Sequence, residues 1–482
     1  KGLHEMRGWQ EPPCRAQLGA LILLAVLARV SAVLLLQSHM VPRSTYEHGE
    51  IAANLLAGKG FSVKFLGSEG PTSQQAPIYP WLVAGAYAVG GVETPVALLI
   101  LQLGQCLLGG LLVAAVWMLA REIAPRCVEA AWLAGLVAAL YPTLVYSATH
   151  VQVAGLAALG LTAALALAYR TGRTRSLRDA TTSGVVLGLL ALTDPILALV
   201  APALAWAMVW NRKTIVMAFA VAALVASPWI ARNAWVHGEL VFVKSTFGYA
   251  FWQGNCRWSE GTDKVVRSSV ERVLELGASG TDSSADSPAA WNRRLWEARH
   301  EAGYLDDVAL TQADYLMLGR LSEPERSRVL FHRALSDLRE QPQRYLSLCL
   351  RRLRYFLLFD ETNPKTRSLL YRAAHVGLTL WAVLGWLVMT RGDRARLAPT
   401  LLTVALITLF HTLTIVSARF HIPLEPILGA WGAIGVARWI GVRRTEPAPM
   451  GAATPTWVSA SNQSPLDSGS AESPASALNL VG

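Results

Sequence analysis

Charge is what this sequence has least of. Only 16% of its 482 residues are charged, against about 25% in an ordinary soluble chain. The deficit is concentrated in long apolar blocks, and the mean hydropathy is +0.35. One large soluble core is therefore excluded in favour of a chain that crosses a membrane several times. Cysteine is scarce too. The five cysteines, Cys14, Cys106, Cys127, Cys256 and Cys349, show no CxxC spacing and no histidine partner pattern, so neither a zinc module nor a disulfide scaffold is indicated. Cys256 and Cys349 could pair in an extracytoplasmic region; free buried thiols are the preferred reading. No D-x-D of the kind that holds a metal for a nucleotide sugar is present, so no obligate metal and no cofactor is expected. No inverted internal repeat of the transporter kind is visible. The first apolar block has no A-x-A site and is too long for a signal segment, so it reads as a retained span.

What is present is a net charge of +10. In a soluble protein that would point to nucleic acid. Here the arginines sit in short clusters between apolar blocks, as the positive-inside rule expects, and nucleic acid is discounted. With about 20 apolar residues needed per span, the candidate blocks are 17–40, 94–119, 129–147, 151–169, 182–210, 214–230, 370–390, 397–417 and 426–441. Putting every arginine cluster on the cytoplasmic side works if block 182–210 goes out and back. Thr193-Asp194-Pro195 lies near its middle, where proline removes a helix donor and aspartate is costly in lipid. The result is about ten membrane segments with both termini inside.

Three regions then lie outside: 41–93, the long polar stretch 231–366, and the short loop 417–426. The domain reading is an N-terminal transmembrane module 1–230 that includes the first loop, an extracytoplasmic region 231–366, and transmembrane helices 367–444. A disordered tail, 445–482, rich in Ser, Ala and Pro, follows. The polar stretch reads as amphipathic helices, 326–358 among them, around a flexible centre at 277–288. Within it Arg351, Arg352 and Arg354 suit a helix at a lipid surface.

The first outside loop begins "STYEHGEIAANLLAGKGFS". Glu47 and Glu50 are spaced i, i+3 with Asn54 following, so one helical face carries two carboxylates and an amide. Ser44-Thr45-Tyr46-Glu47 also has the pattern of a capping box, which would make Glu47 a helix cap and nothing more. Gly58 and Gly60 end the helix, 61–76 reads as a polar loop, and Pro77 and Pro80 start a short apolar helix. Tyr79 and Trp81 are placed there for an interface.

"YEHGEIAANLLAGKGFS…GPTSQQAPIYPWL" resembles the first extracytoplasmic loop of bacterial GT-C glycosyltransferases, the superfamily of protein O-mannosyltransferases and the lipid A aminoarabinose transferase. "SPWIARNAWVHGELVFVKSTFGYAFWQGN" (227–255) and "ARFHIPLEPILGAWGA" (418–433) resemble two later blocks of the same branch. The set spans residues 44 to 433. The resemblance implies an all-α polytopic membrane protein with a GT-C-like fold, interfacial helices in the first loop and a mainly helical extracytoplasmic insertion. It also implies transfer of a sugar from a polyprenyl-phosphate donor to an acceptor hydroxyl on the outer face of a bacterial inner membrane. The acceptor is left open as glycan, lipid or protein. Anomeric configuration usually inverts, with a loop acid as general base.

On that reading Glu47 is the base and Glu50 the runner-up. Arg419 is the ligand of the lipid phosphate, with His421 beside it. Arg232 and Asn233 have a donor role or a bracing role, and Lys59 reaches a phosphate or is simply solvated. Asp194 faces the cavity or caps a helix. Many relatives carry a second acid near the outer end of the span after "YP"; here His150 and Gln152 stand in its place. If that acid is needed, this chain uses another acceptor geometry or has lost activity. An O-antigen-type polymerase or ligase, a transporter or flippase of lipid-linked sugars, and an inactive scaffold remain the competing classes.

Overall fold

The computed structural model describes residues 12–41, 45–209, 211–263, 310–363 and 368–445, with 287–290, 293 and 366. The expected tail 446–482, Ser44 of the capping pattern, and all but the last two positions of the stretch 277–288 lie outside the described residues. Through Gly441 the chain forms one unit.

Every apolar block has its helix. Helix α1 is Pro12–Leu36. In the first loop come α2 (Tyr46–Leu56), β1 (Ser62–Phe65), β2 (Ser68–Pro71) and α3 (Ile78–Gly90). Then follow α4 (Pro95–Ile123), α5 (Val128–Leu140), α6 (Pro142–Ser147), α7 (Ala154–Thr174), α8 (Leu177–Ala191), α9 (Ala201–Ala207) and α10 (Arg212–His237). The polar stretch contributes α11 (Phe247–Asn255), α12 (Gln312–Leu318), α13 (Glu323–Glu340) and α14 (Pro342–Leu357). The chain closes with α15 (Leu369–Val388), α16 (Arg391–Leu413) and α17 (Glu425–Thr445). By length and composition five of these are able to cross a membrane: Arg15–Leu36, Pro95–Ile123, Ala154–Thr174, Arg212–His237 and Arg391–Leu413.

Proline sets the breaks. Block 129–147, read as one span, is two helices meeting at Tyr141-Pro142. Proline has no N–H for the Ala138 carbonyl, one turn back. The buried Arg29 of α1 supplies the missing donors: its Nη2 donates to Ala138 O at 3.1 Å and its Nη1 to Ala139 O at 2.9 Å. A charge inside a span is thus held as the cap of a neighbouring helix end, where the carbonyls are exposed and the dipole is negative. It fits because α4 has Gly109 opposite. A β-carbon there would stand 2.2 Å from Arg29 Nε. Inside α10, Pro228 leaves the Leu224 carbonyl without a donor, and Ser227 Oγ donates to it at 2.9 Å. The break at Thr193-Asp194-Pro195 falls where the sequence places it: α8 ends at Ala191, and a 3-10 turn, Pro195–Val200, leads into α9. Asp194 Oδ1 accepts from Ile196 N at 3.2 Å and caps that turn.

Three expectations need correction. Residues 61–76 are not simply a polar loop, because Ser62–Phe65 pairs antiparallel with Ser68–Pro71. Gly67, at positive φ in the turn, lets the short hairpin close. Tyr79 is not an interfacial residue: it is 1% exposed and donates to Gln105 Oε1 at 2.7 Å. Arg352 does not face lipid. It is fully buried and donates to the carbonyls of Thr412, Gly254 and Thr414, tying α14 to the ends of α16 and α11. The four cysteines with described side chains, Cys106, Cys127, Cys256 and Cys349, are free and buried.

Candidate functional site

The first loop, the segment after α10 and the start of α13 converge on one carboxylate. Glu323 accepts from Thr72 Oγ1 at 2.6 Å, from Ser73 N at 2.8 Å and from Ser245 Oγ. Arg232 binds the same loop from α10: its Nη1 donates to Thr72 O at 2.6 Å and its Nη2 to Phe61 O at 3.0 Å. Its guanidinium also lies 4.9 Å from the Trp229 ring. Asn233, fully buried, donates to the carbonyls of Phe242 and Val243. Arg232 and Asn233 are therefore committed to bracing, with their donors engaged by backbone. Glu323 was missed in the sequence because "SEPE" reads as an ordinary helix start. Ser322 and Glu325 do form that capping box, and Glu323 turns inward.

This bracing fixes a group of charges. Lys244, next to Ser245, donates to Gln75 Oε1 at 3.1 Å. Burial pulls its ammonium below the ordinary lysine range; Asp194 and Glu47 draw it back up, and Arg419 pushes it further down. Those four groups therefore share one electrostatic neighbourhood. His48 stands in it too. Burial, then the positive charges of Lys244 and Arg419, hold its imidazole down at about 3, and its ring meets Tyr79 edge-on at 4.9 Å. Of these, Glu47, Asp194 and Arg419 are the residues singled out from sequence. Lys244 and His48 were not. The signal for Lys244 was a lone lysine in the aliphatic run "LVFVKST".

The two glutamates of the first loop separate. Helix α2 starts at Tyr46 with Thr45 as its N-cap, and no side-chain capping bond is made there. Glu50 Oε1 accepts from Lys64 N at 2.7 Å, and Asn54 donates to Ser62 O at 3.0 Å, so both pin the hairpin to α2. The half-buried Glu47 carboxylate has no hydrogen-bond or ion-pair partner among the described residues. Gly49 between them lets α2 approach α3, since a β-carbon would meet the Thr45 and Tyr87 hydroxyls.

The other candidates have partners of their own. Lys59 forms an exposed ion pair with Glu69 at 3.7 Å. His150 is buried and held by Tyr146 Oη at 3.0 Å and Thr149 Oγ1 at 2.7 Å. Gln152 donates to Ser147 O at 3.3 Å. His421 does not stand beside Arg419 as a second phosphate ligand. It is 6% exposed, while Arg419 is solvent-exposed, and it turns inward to Glu425 at 3.0 Å. Beneath Tyr79 and Gln105 lies a cavity of about 300 Å³, lined mainly by apolar residues of α3, α4 and α7 with Leu144 and Ser147 of α6.

No family model matches the chain, and no curated protein matches it. Among solved structures, the archaeal oligosaccharyltransferase AglB from Archaeoglobus fulgidus, in complex with an inhibitory peptide and a dolichol-phosphate, aligns over 91% of this chain and 52% of its own. The TM-score is 0.50 at 14% sequence identity. ArnT from Cupriavidus metallidurans bound to undecaprenyl phosphate aligns over 87% of this chain and 78% of its own, with a TM-score of 0.39 at 15% identity. The chain spans about half the length of AglB. The likeness to AglB shows the fold: all-α and polytopic, as expected from the apolar blocks.

Proposed function

We propose that this protein is a membrane glycosyltransferase that moves a sugar from a polyprenyl-phosphate donor to an acceptor hydroxyl, with Glu47 as general base. The observation that carries the reading is the unpartnered Glu47 carboxylate in a common electrostatic neighbourhood with Lys244 and Arg419. Such a reaction needs a carboxylate able to take a proton and cations able to take a phosphate. Glu47 accepts the proton of the acceptor hydroxyl as its oxygen attacks the anomeric carbon. The bond from that carbon to the phosphate oxygen breaks on the opposite face, so configuration inverts. Arg419, exposed and without an ion pair among the described residues, and Lys244 hold the phosphate as its charge develops. Asp194 offsets part of the positive charge around Lys244 when no phosphate is there.

The apolar cavity under Tyr79 offers a place for the first units of a prenyl chain. AglB is an oligosaccharyltransferase in complex with a peptide and a dolichol-phosphate, which supports a lipid-linked donor. The acceptor remains a hydroxyl of a glycan, lipid or protein, reached on the extracytoplasmic face of a bacterial inner membrane.

The test is transfer of labelled sugar from a panel of polyprenyl-phosphate sugars in membranes carrying wild type, Glu47→Gln or Glu50→Gln. Loss of a general base costs about 10²–10⁴-fold, and that loss is expected for Glu47→Gln. Glu50→Gln, which keeps an acceptor oxygen for Lys64 N, should retain most of the transfer. Loss with Glu50→Gln alone would sink the assignment. Absence of transfer by wild type across the panel would favour a flippase or an inactive scaffold.

A further inference from the structure

A second cluster of chemistry-bearing side chains lies away from Glu47. It is assembled from three places: His375 on the second turn of α15, His421 in the turn before α17, and Glu425, the first residue of α17. All three are buried, at 5%, 6% and 2% exposure. One ligand atom from each lies within 4.8 Å of the others. The two imidazole rings are 4.1 Å apart between centroids and inclined at 57°.

As an apolar core or a simple ion pair this arrangement is poor. His421 Nδ1 stands 3.0 Å from Glu425 Oε1, yet neither carboxylate oxygen has an aligned hydrogen-bond partner, although the Thr143 hydroxyl lies close. His375 hydrogen-bonds the backbone of Phe356, and its Nδ1 has no partner. The Tyr371 hydroxyl, also buried and without a partner, belongs to a ring stacked at 8° on His375. Tyr141 and Tyr371 both lie within electrostatic range of Glu425. Buried polar atoms in native proteins are nearly always satisfied, and each exception asks for an explanation such as an ion.

We propose that His375, His421 and Glu425 bind one divalent transition metal, with zinc the best match to the donor set. Two imidazole nitrogens and one carboxylate are a known three-ligand set for zinc that leaves a fourth position open. Tetrahedral ligands about 2.1 Å from zinc are about 3.4 Å from one another, so the observed spread closes by small side-chain rotations. The ion would satisfy His375 Nδ1, which has no partner, and would bind the Glu425 carboxylate that now faces His421. The bond from His375 to the Phe356 backbone is the kind of outer contact that orients a metal-ligating imidazole. Tyr371 or a water would complete the fourth position.

The ion would act as a clamp. It would join α15 to the turn 422–424 and to α17. The stretch that leads into this turn is already fixed at its other end, where Val416 exchanges backbone bonds with Gly261 and Asp263. Arg419 lies between the two fixings. The site is not legible in sequence, because His375 is far from His421 along the chain and no metal-ligand spacing is present.

The experiment is metal analysis of the full-length protein in detergent, after loading with zinc and removal of the excess. About one zinc per chain is expected for wild type. His375→Ala and Glu425→Gln should lose it, and His332→Ala, an exposed histidine elsewhere, should keep it. Cobalt(II) loading should give visible d–d bands in wild type that are absent from His375→Ala. Metal content is read without any donor sugar, so the outcome does not depend on the transfer reaction. A wild type that retains neither zinc nor cobalt overturns the proposal, even if the variants fail to fold. Equal metal in wild type and in folded His375→Ala overturns it as well.

Discussion

Removing the Glu323 carboxylate should loosen the first loop more than any surface change nearby. In Glu323→Ala three donors, Thr72 Oγ1, Ser73 N and Ser245 Oγ, lose their acceptor. Arg232 and Arg326, which both feel the Glu323 charge, are left facing each other's neighbourhood without it. Each buried donor left unpaired costs about 1–3 kcal/mol. Water entering the space of the lost side chain offsets part of the sum, so a loss of about 3–5 kcal/mol is expected. Glu323→Gln keeps the shape and one acceptor oxygen, and should lose about 1–2 kcal/mol. The comparison that decides is Glu325→Ala, two residues on, where the exposed acid only closes a capping box on Ser322. Denaturant unfolding in detergent, with limited proteolysis of residues 58–77, reads all three variants. The expected order of loss is Glu323→Ala, then Glu323→Gln, with Glu325→Ala small. If Glu323→Ala costs no more than Glu325→Ala, the convergence of the loop, the segment after α10 and α13 on this carboxylate does not hold the region together.

Gly109→Ala should push the Arg29 side chain off its carbonyls and cost about 1–3 kcal/mol as an overpacked site. Gly104→Ala on the same helix, with nothing within 4 Å of the new methyl group, should be near neutral; equal thermal shifts in the two would refute the close contact. His48 titrates near 6.5 when unfolded but is held to about 3 in the fold. Below pH 6.5 the unfolded chain therefore binds a proton that the folded one refuses. Its contribution is complete above the unfolded value and is lost progressively as pH falls from there through the folded value; the loss reaches about 2 kcal/mol by about pH 5. His48→Gln should flatten the stability profile in that window, and an unchanged slope would show that other groups carry it.

Much of the bundle was legible because hydrophobic blocks and proline breaks act locally. The blocks became helices, and Asp194-Pro195 broke the chain where a missing donor and a costly charge demanded it. The hairpin 62–71 was not legible. It has two glycines and a charged, short sequence, and it is stabilised mainly from outside, by Glu50, Asn54 and Arg232. Glu47 and Arg419 stood out as candidates through the motif resemblance. Lys244 and Glu323 did not, because their partners lie in segments far away in sequence. The same reason hid the His375, His421 and Glu425 cluster. His421, two residues after the exposed Arg419, turns inward to Glu425, which the short motif could not show.

Arginine in this chain has two jobs that a charge count alone merges. The clusters between blocks fit the positive-inside expectation. Arg29, Arg232 and Arg352 do something else: each donates to backbone carbonyls at the ends of helices or of the first-loop hairpin. Arg29 serves the end of α5 orphaned by Pro142. Arg352 serves the ends of α16 and α11. Arg232 serves both ends of the first-loop hairpin, at Phe61 and Thr72. A helix end exposes four such carbonyls, and in a low-dielectric interior each needs a donor. A guanidinium fits because its fork reaches two or three of them at once and stays charged when buried. Lysine offers one point of attachment and gives up its proton more readily. Lys244 accordingly stands where a carboxylate pair and a polar partner surround it. The buried arginines thus hold elements that are distant in sequence, while Arg419 stays exposed and Lys244 donates only to Gln75.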